Sequence, residues 1–78
     1  MAFKSGNLSL ATVRKILRHQ GCKLIRHEKG HEKYSKQSLF RPIVIQDHID
    51  PVPDFIVKQI MRTLSLSNKD MEKILSEI

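Results

Sequence analysis

A seven-residue segment near the middle of the chain contains side chains suited to acid–base chemistry. From His27 to Lys33 it holds two imidazoles, two carboxylates, two lysines and one glycine. An unperturbed imidazole has a pKa of about 6.5, and a positioned general base or acid contributes on the order of 10² to 10⁴ in rate. We therefore interpret His31 as a candidate general base or acid.

The residues around His31 are candidates for holding a phosphate. Lys29 and Lys33 flank it, and Lys33 shares its face if the segment is a strand, because strand side chains alternate with period two. An ammonium beside the scissile phosphate stabilises the charge that grows in the transition state. A glycine lets the backbone approach a phosphate closely. The predicted RNA-binding residues are Lys29, Gly30, Lys33, His27 and Lys36.

His27 has three alternative interpretations. If residues 28–30 form a three-residue hairpin loop, His27 faces His31 with Cβ atoms about 5 Å apart, and it then complements His31 as an acid. Otherwise it is a surface residue that contacts RNA. A zinc site built from both histidines and Glu28 or Glu32 is a third arrangement, but the spacing does not require it. We predict no metal and no cofactor.

The charge of the chain favours a polyanionic partner. Fourteen Lys and Arg residues against eight Asp and Glu residues give a formal net charge of +6 over 78 residues. Many small domains are basic for solubility alone, and a histidine near a turn is most often a solvated surface residue. Since the basic residues are spread along the chain, folding must gather them onto one face for them to bind a phosphate backbone.

Hydrophobic periodicity predicts a helix, three strands and two further helices. Ser9 is a candidate N-cap for the first helix, and Ser67 with Asp70 forms a capping-box-like pair for the last one. Pro42 cannot donate to a strand ladder, so the third strand is expected at an edge of the sheet. The predicted elements are a helix over 9–20, strands over 22–27, 31–36 and 40–46, a helix over 53–64 and a short helix after residue 67.

This order predicts an α+β fold of the class α-β-β-β-α with an extra short C-terminal helix. An antiparallel meander has one face covered by helices and one face open to water, as in the double-stranded-RNA-binding domain. We expect one domain over residues 1–78, with residues 1–8 loosely ordered. Three side chains are predicted to lie in the core: Cys22, Met61 and Met71. Tyr34 is also predicted to lie there, with stacking on an unpaired base as its alternative.

Four segments resemble the HicA (YcfA-like) family of mRNA interferases. Glu28-Lys29-Gly30-His31-Glu32-Lys33-Tyr34 is similar to its signature of a glycine, a small residue, a histidine, two variable residues and an aromatic. The other segments resemble its opening helix with a closing glycine (12–21), its third strand with the following histidine (43–48) and its closing helices (53–71). The likeness extends over residues 9–75. This chain departs from the family by having Lys29 at the glycine position and Gln46 at a proline position.

The resemblance implies the toxin component of a type II toxin–antitoxin system. Such toxins are endoribonucleases that cleave mRNA with a single catalytic histidine, which corresponds here to His31. A HicB-type antitoxin protein silences them, and contact with DNA is expected only through the antitoxin complex. One histidine can suffice for such a reaction, because RNA carries its own nucleophile, the 2′-hydroxyl, and its cleavage needs only a base, charge stabilisation and alignment.

Two other functions fit the same residues. The first is a non-catalytic RNA-binding module in which His31 and the lysines only touch phosphate. The second is a protein-interaction domain whose charge serves an acidic partner. Cys22 is the only cysteine, which excludes an internal disulfide and suits a reducing compartment. With no long apolar run in the sequence, we expect a cytoplasmic protein without membrane contact.

Overall fold

The computed structural model describes residue 3 and residues 8–78, which form a small α+β fold with one three-stranded antiparallel sheet and three helices. The predicted order of elements is confirmed, including the additional C-terminal helix. In chain order the elements are α1 (Leu10–His19), β1 (Lys23–Glu28), β2 (His31–Ser35), β3 (Ile43–Gln46), α2 (Asp54–Leu64) and α3 (Asn68–Glu77). None of the helices in this described part is long and apolar enough to cross a membrane.

The helix ends lie where the sequence predicts them. Ser9 caps α1, because its hydroxyl accepts a hydrogen bond from the Thr12 N–H at 3.1 Å. Gly21 follows the end of α1 with a φ of +83°, a left-handed conformation that favours glycine. Ser67 and Asp70 form the reciprocal capping box of α3.

The sheet has the strand order β1-β2-β3, so β2 is central and β3 is an edge strand as predicted. A bulge at residue 25 shifts the register between β1 and β2. The third strand begins at Ile43 and not at residue 40, which corrects the predicted start. Pro42 has no N–H for a ladder, and the preceding Phe40 lies in a bend with 96% of its surface exposed.

The core lies between the helices and one face of the sheet. Tyr34, Ile43 and Ile45 supply the sheet side of this core, and apolar residues of all three helices cover them. The predicted core positions Cys22, Tyr34, Met61 and Met71 are all buried. The expectation of loose order for residues 1–8 falls mainly on residues 1–2 and 4–7, which lie outside the described residues.

An ion pair between Arg14 on α1 and the buried Glu32 on β2 connects the helix to the sheet. Glu32 is 4% exposed, and its two carboxylate oxygens accept hydrogen bonds from Arg14 at 3.1 and 2.5 Å. The Tyr34 hydroxyl also donates to Glu32 at 2.7 Å. The hydrogen bond from Arg14 holds the pKa of Glu32 below its usual value, and the one from Tyr34 adds to this effect. The carboxylate is therefore retained as a charged group inside the fold.

Candidate functional site

The hairpin between β1 and β2 turns over two residues. Lys29 and Gly30 both have positive φ, at 52° and 78°, which is the conformation of a type I′ turn. The predicted three-residue loop is therefore wrong: the right-handed twist of the two strands favours a two-residue turn, and Glu28 belongs to β1. The register places Glu28 opposite His31 and His27 opposite Glu32.

This register separates the two histidines of the hairpin. His27 pairs with Glu32 and shares the helix-covered face with it, whereas His31 lies on the open face. This register excludes the alternative in which His27 faces His31 across the hairpin, because one residue of shift in an antiparallel pair moves a side chain to the other face. His27 is not a facing acid for His31.

His31 is exposed at the start of the central strand β2, on the open face of the sheet. Its neighbours in register are Glu28 on β1 and Gln46 on β3. Lys33 shares its face two residues further along and pairs with Arg26. The Arg26 guanidinium forms an exposed ion pair with Glu28 at 3.0 Å. Folding thus gathers an imidazole and two basic side chains on a surface that the helices leave uncovered.

A cavity of about 270 Å³ lies beside His31. It is located between the edge strand β3 and the segment that leads into α2. His31 and Gln46 contribute its polar groups, and apolar side chains form most of its lining: Val44, Ile49, Val52, Pro53, Phe55 and Ile56. This cavity was not predicted from the sequence, where its one signal is Phe55, an aromatic residue beside the buried stripe of α2.

A second polar cluster lies at the turn end of the sheet, on the side of His27. The Asp47 carboxylate accepts a hydrogen bond from His27 Nε2 at 2.5 Å, and its other oxygen lies 3.5 Å from His48 Nδ1. The bond from His27 lowers the pKa of Asp47, and the contact with His48 adds to this shift. His27 and Asp47 are 20 positions apart in the chain, so no local sequence pattern indicates this cluster.

Gly30 contacts this cluster closely. A Cβ on Gly30 would lie 3.3 Å from His48 Nδ1, and the Gly30 carbonyl accepts a hydrogen bond from the Asp47 N–H at 2.9 Å. The small residue therefore lets the hairpin turn pack against residues 47–48. This contact is a structural reason for glycine at position 30, in addition to the predicted approach to phosphate.

One group of side chains within the described residues has the spacing of metal ligands. Donor atoms of His27, Glu32 and Asp47 lie within 4.8 Å of one another. Both oxygens of Glu32 are occupied by Arg14, whose guanidinium places a positive charge beside the same position. Asp47 is likewise bonded to His27. Hydrogen bonds account for the arrangement, and the donor set does not fit a cation.

The remaining predicted RNA-binding lysines occupy different positions. Lys29 is exposed at the tip of the hairpin. Lys36 follows β2 at the opposite end of that strand, and its ammonium donates a hydrogen bond to the Gln20 carbonyl at the end of α1 at 3.1 Å. Lys29 and Gly30 thus form the turn directly before His31, whereas Lys36 is hydrogen-bonded at the C-terminus of α1.

No family model, curated protein or solved structure matches the chain.

Proposed function

We propose that this protein is an endoribonuclease that cleaves mRNA, with His31 as its single catalytic residue. The observation that carries the proposal is the position of His31, which is exposed on the open face of the sheet beside Lys33 and an apolar cavity. A phosphodiester that lies on this face reaches the imidazole without displacing any helix. The net charge of +6 favours such a polyanionic substrate.

The proposed reaction uses the nucleophile of the substrate. The His31 imidazole accepts the proton of a ribose 2′-hydroxyl, whose oxygen attacks the adjacent phosphorus. The bond from phosphorus to the 5′-oxygen breaks and leaves a 2′,3′-cyclic phosphate. The departing oxygen takes a proton from water, and the resulting hydroxide takes up the proton from the His31 imidazolium. Lys33 stabilises the negative charge that develops on the phosphoryl oxygens. The reaction needs no metal ion and no cofactor.

The biological role that we propose follows from the resemblance to HicA toxins. The chain would be the toxin of a type II toxin–antitoxin pair, active in the cytoplasm, with a HicB-type antitoxin protein as its partner. It would contact DNA only through the antitoxin complex. The order of α1, the three-stranded sheet and α2 agrees with a double-stranded-RNA-binding-like fold, which supports this proposal.

One observation favours a second candidate function, a non-catalytic RNA-binding module. His27 lies on the face opposite His31, where it bonds to Asp47. His27 therefore does not supply a general acid for the leaving oxygen. In the binding module, His31 and Lys33 would hold phosphate without chemistry.

Cleavage and binding measured together distinguish the two functions. A long single-stranded RNA is incubated in EDTA with wild type, His31→Ala and His19→Ala, the last being a control that removes an imidazole from the end of α1. If the protein is an endoribonuclease, wild type and His19→Ala cut the RNA, whereas His31→Ala binds it without cutting. Equal binding by all three proteins with no cleavage by any would leave the binding module as the function.

A further inference from the structure

The cavity beside His31 has the size and the lining of a small-ligand site. Its volume is about 270 Å³, whereas an engineered cavity of roughly 150 Å³ holds a benzene molecule. There is thus room for one planar heterocycle. Apolar walls with a few polar groups are typical of sites that bind small ligands. The polar groups here come from His31 and Gln46, neighbours in the register of β2 and β3.

Phe55 is the second feature of this cavity. It is 69% exposed in the first turn of α2, while the neighbouring Val57 and Ile60 are buried in the core. An aromatic ring that lines a cavity and remains open to solvent offers a face for stacking. Unpaired RNA bases stack on such rings, and the interaction tolerates any base because every base has a π-face.

We propose that this cavity binds one unstacked nucleobase of a single-stranded RNA, next to the phosphate held at His31. The base stacks on Phe55, and the Gln46 amide, which has both donors and an acceptor, reads its polar edge. The pocket therefore sets the base preference at the cleavage position. This inference rests on the proposed function and deepens it by naming the part of the substrate that is recognised.

The observations favour a nucleobase over a peptide as the occupant. His31 lines the cavity, so a ligand there is continuous with the site proposed for the phosphate. A second cavity of about 180 Å³ continues along β3, with Val44 and Ile56 lining both. An extended peptide pairing with the free edge of β3 would occupy this whole groove. The charge of +6 and the exposed aromatic match a nucleic acid strand better.

The binding of RNA that cannot be cut tests this pocket independently of catalysis. Short single-stranded RNAs with 2′-O-methyl groups are titrated against wild type, Phe55→Ala and Phe55→Leu, with fluorescence anisotropy as the measurement. Phe40→Ala is the matched control, because it removes the same ring from another exposed position. Loss of one stacked base weakens binding roughly 5- to 150-fold. We expect this loss for Phe55→Ala, a partial loss for Phe55→Leu and little change for Phe40→Ala.

Base preference provides the second measurement. The same titrations with homopolymeric RNAs rank the four bases, and we expect Gln46→Ala to change this ranking while the affinity for the preferred base falls. Because Phe55 and Gln46 are exposed, these variants should retain the thermal unfolding midpoint of the wild type.

The outcomes separate this inference from the proposed function. Wild-type cleavage together with unchanged affinity and unchanged base ranking in Phe55→Ala and Gln46→Ala would overturn the pocket and leave the endoribonuclease intact. Binding that depends on Phe55 without any cleavage would support the pocket and reject the nuclease. Absence of wild-type binding to every RNA would overturn both. If binding of a peptide depends on Phe55 while binding of RNA does not, the groove belongs to a protein partner.

Discussion

At the residue scale, a hydrogen-bonded triad joins α1 to the central strand. Arg14 and Tyr34 both donate to the buried carboxylate of Glu32, so each polar group has a partner within the fold. Burial raises the pKa of Tyr34 to about 12, and the hydrogen bond to Glu32 adds to this shift. The phenol is therefore neutral in the folded protein at pH values well below 12.

Tyr34 provides a direct test of this triad. Because its pKa is raised from 10.0 to about 12 on folding, the stability that depends on the neutral phenol is complete below pH 10. That stability is lost as the pH rises from 10 towards 12. Tyr34 is the only tyrosine and the chain has no tryptophan, so phenolate absorbance reports this single group. We expect ionisation near pH 12 in buffer and near pH 10 in concentrated urea.

The variant Glu32→Gln is the companion measurement for the titration. It removes the charged acceptor of the Tyr34 hydroxyl, so the phenol should ionise at a lower pH than in the wild type. Glu28→Gln is the matched control, because Glu28 is an exposed carboxylate of the same hairpin. If Tyr34 ionises near pH 10 in the folded wild type, the triad does not raise the pKa of the phenol in solution.

At the element scale, the conformation of the hairpin turn decides which side chains face the substrate. The type I′ turn requires positive φ at Lys29, and this left-handed conformation costs a residue with a Cβ roughly 1–2 kcal/mol. Asparagine tolerates the same conformation better. Position 29 is therefore suboptimal for stability, while its ammonium remains available for a phosphate.

Substitution at Lys29 tests this turn geometry. Lys29→Asn should increase the free energy of unfolding by about 0.5–1 kcal/mol, since asparagine and glycine are the preferred pair for a type I′ turn. Lys29→Gln removes the same charge, but glutamine does not tolerate positive φ as asparagine does. Its free energy of unfolding should therefore stay near that of the wild type. Urea denaturation measures both variants. Equal stability of the two variants would argue against a left-handed residue at this position.

At the scale of the whole molecule, the fold has one face covered by helices and one face left open. His31, Lys33 and Arg26 lie on the open face, whereas α3 contributes to the covered side. If RNA binds to the open face, the basic residues there release counterions from its phosphates. Basic residues of α3 should have no part in this binding.

Salt dependence tests which face binds RNA. Lys33→Ala should weaken RNA binding and reduce the slope of log affinity against log salt concentration by about 1, because one phosphate contact is lost. Lys69→Ala on α3 is the control, since it removes the same charge from an exposed position on a helix. We expect it to leave the slope unchanged. A larger effect of Lys69→Ala would place the RNA on the helical side.

The sequence by itself determined the elements and their order, because the signals for them are local. Capping residues such as Ser9 and Ser67 act within one turn, and hydrophobic periodicity within a helix identifies its buried side. The core position of Met71 followed from the same periodicity, and that of Tyr34 from the tendency of a lone strand aromatic to pack on a helix. His31 could be selected as a candidate from its residue type and the motif around it.

Only the tertiary structure decided what surrounds these residues. Arg14 and Glu32 are 18 positions apart, and His27 and Asp47 are 20 positions apart, so neither contact has a local signature. Because the turn has two residues and not three, His27 lies on the face opposite His31. The cavity beside His31 likewise exists only where β3 meets the start of α2. Such contacts depend on the packing of whole elements, which local periodicity and capping do not specify.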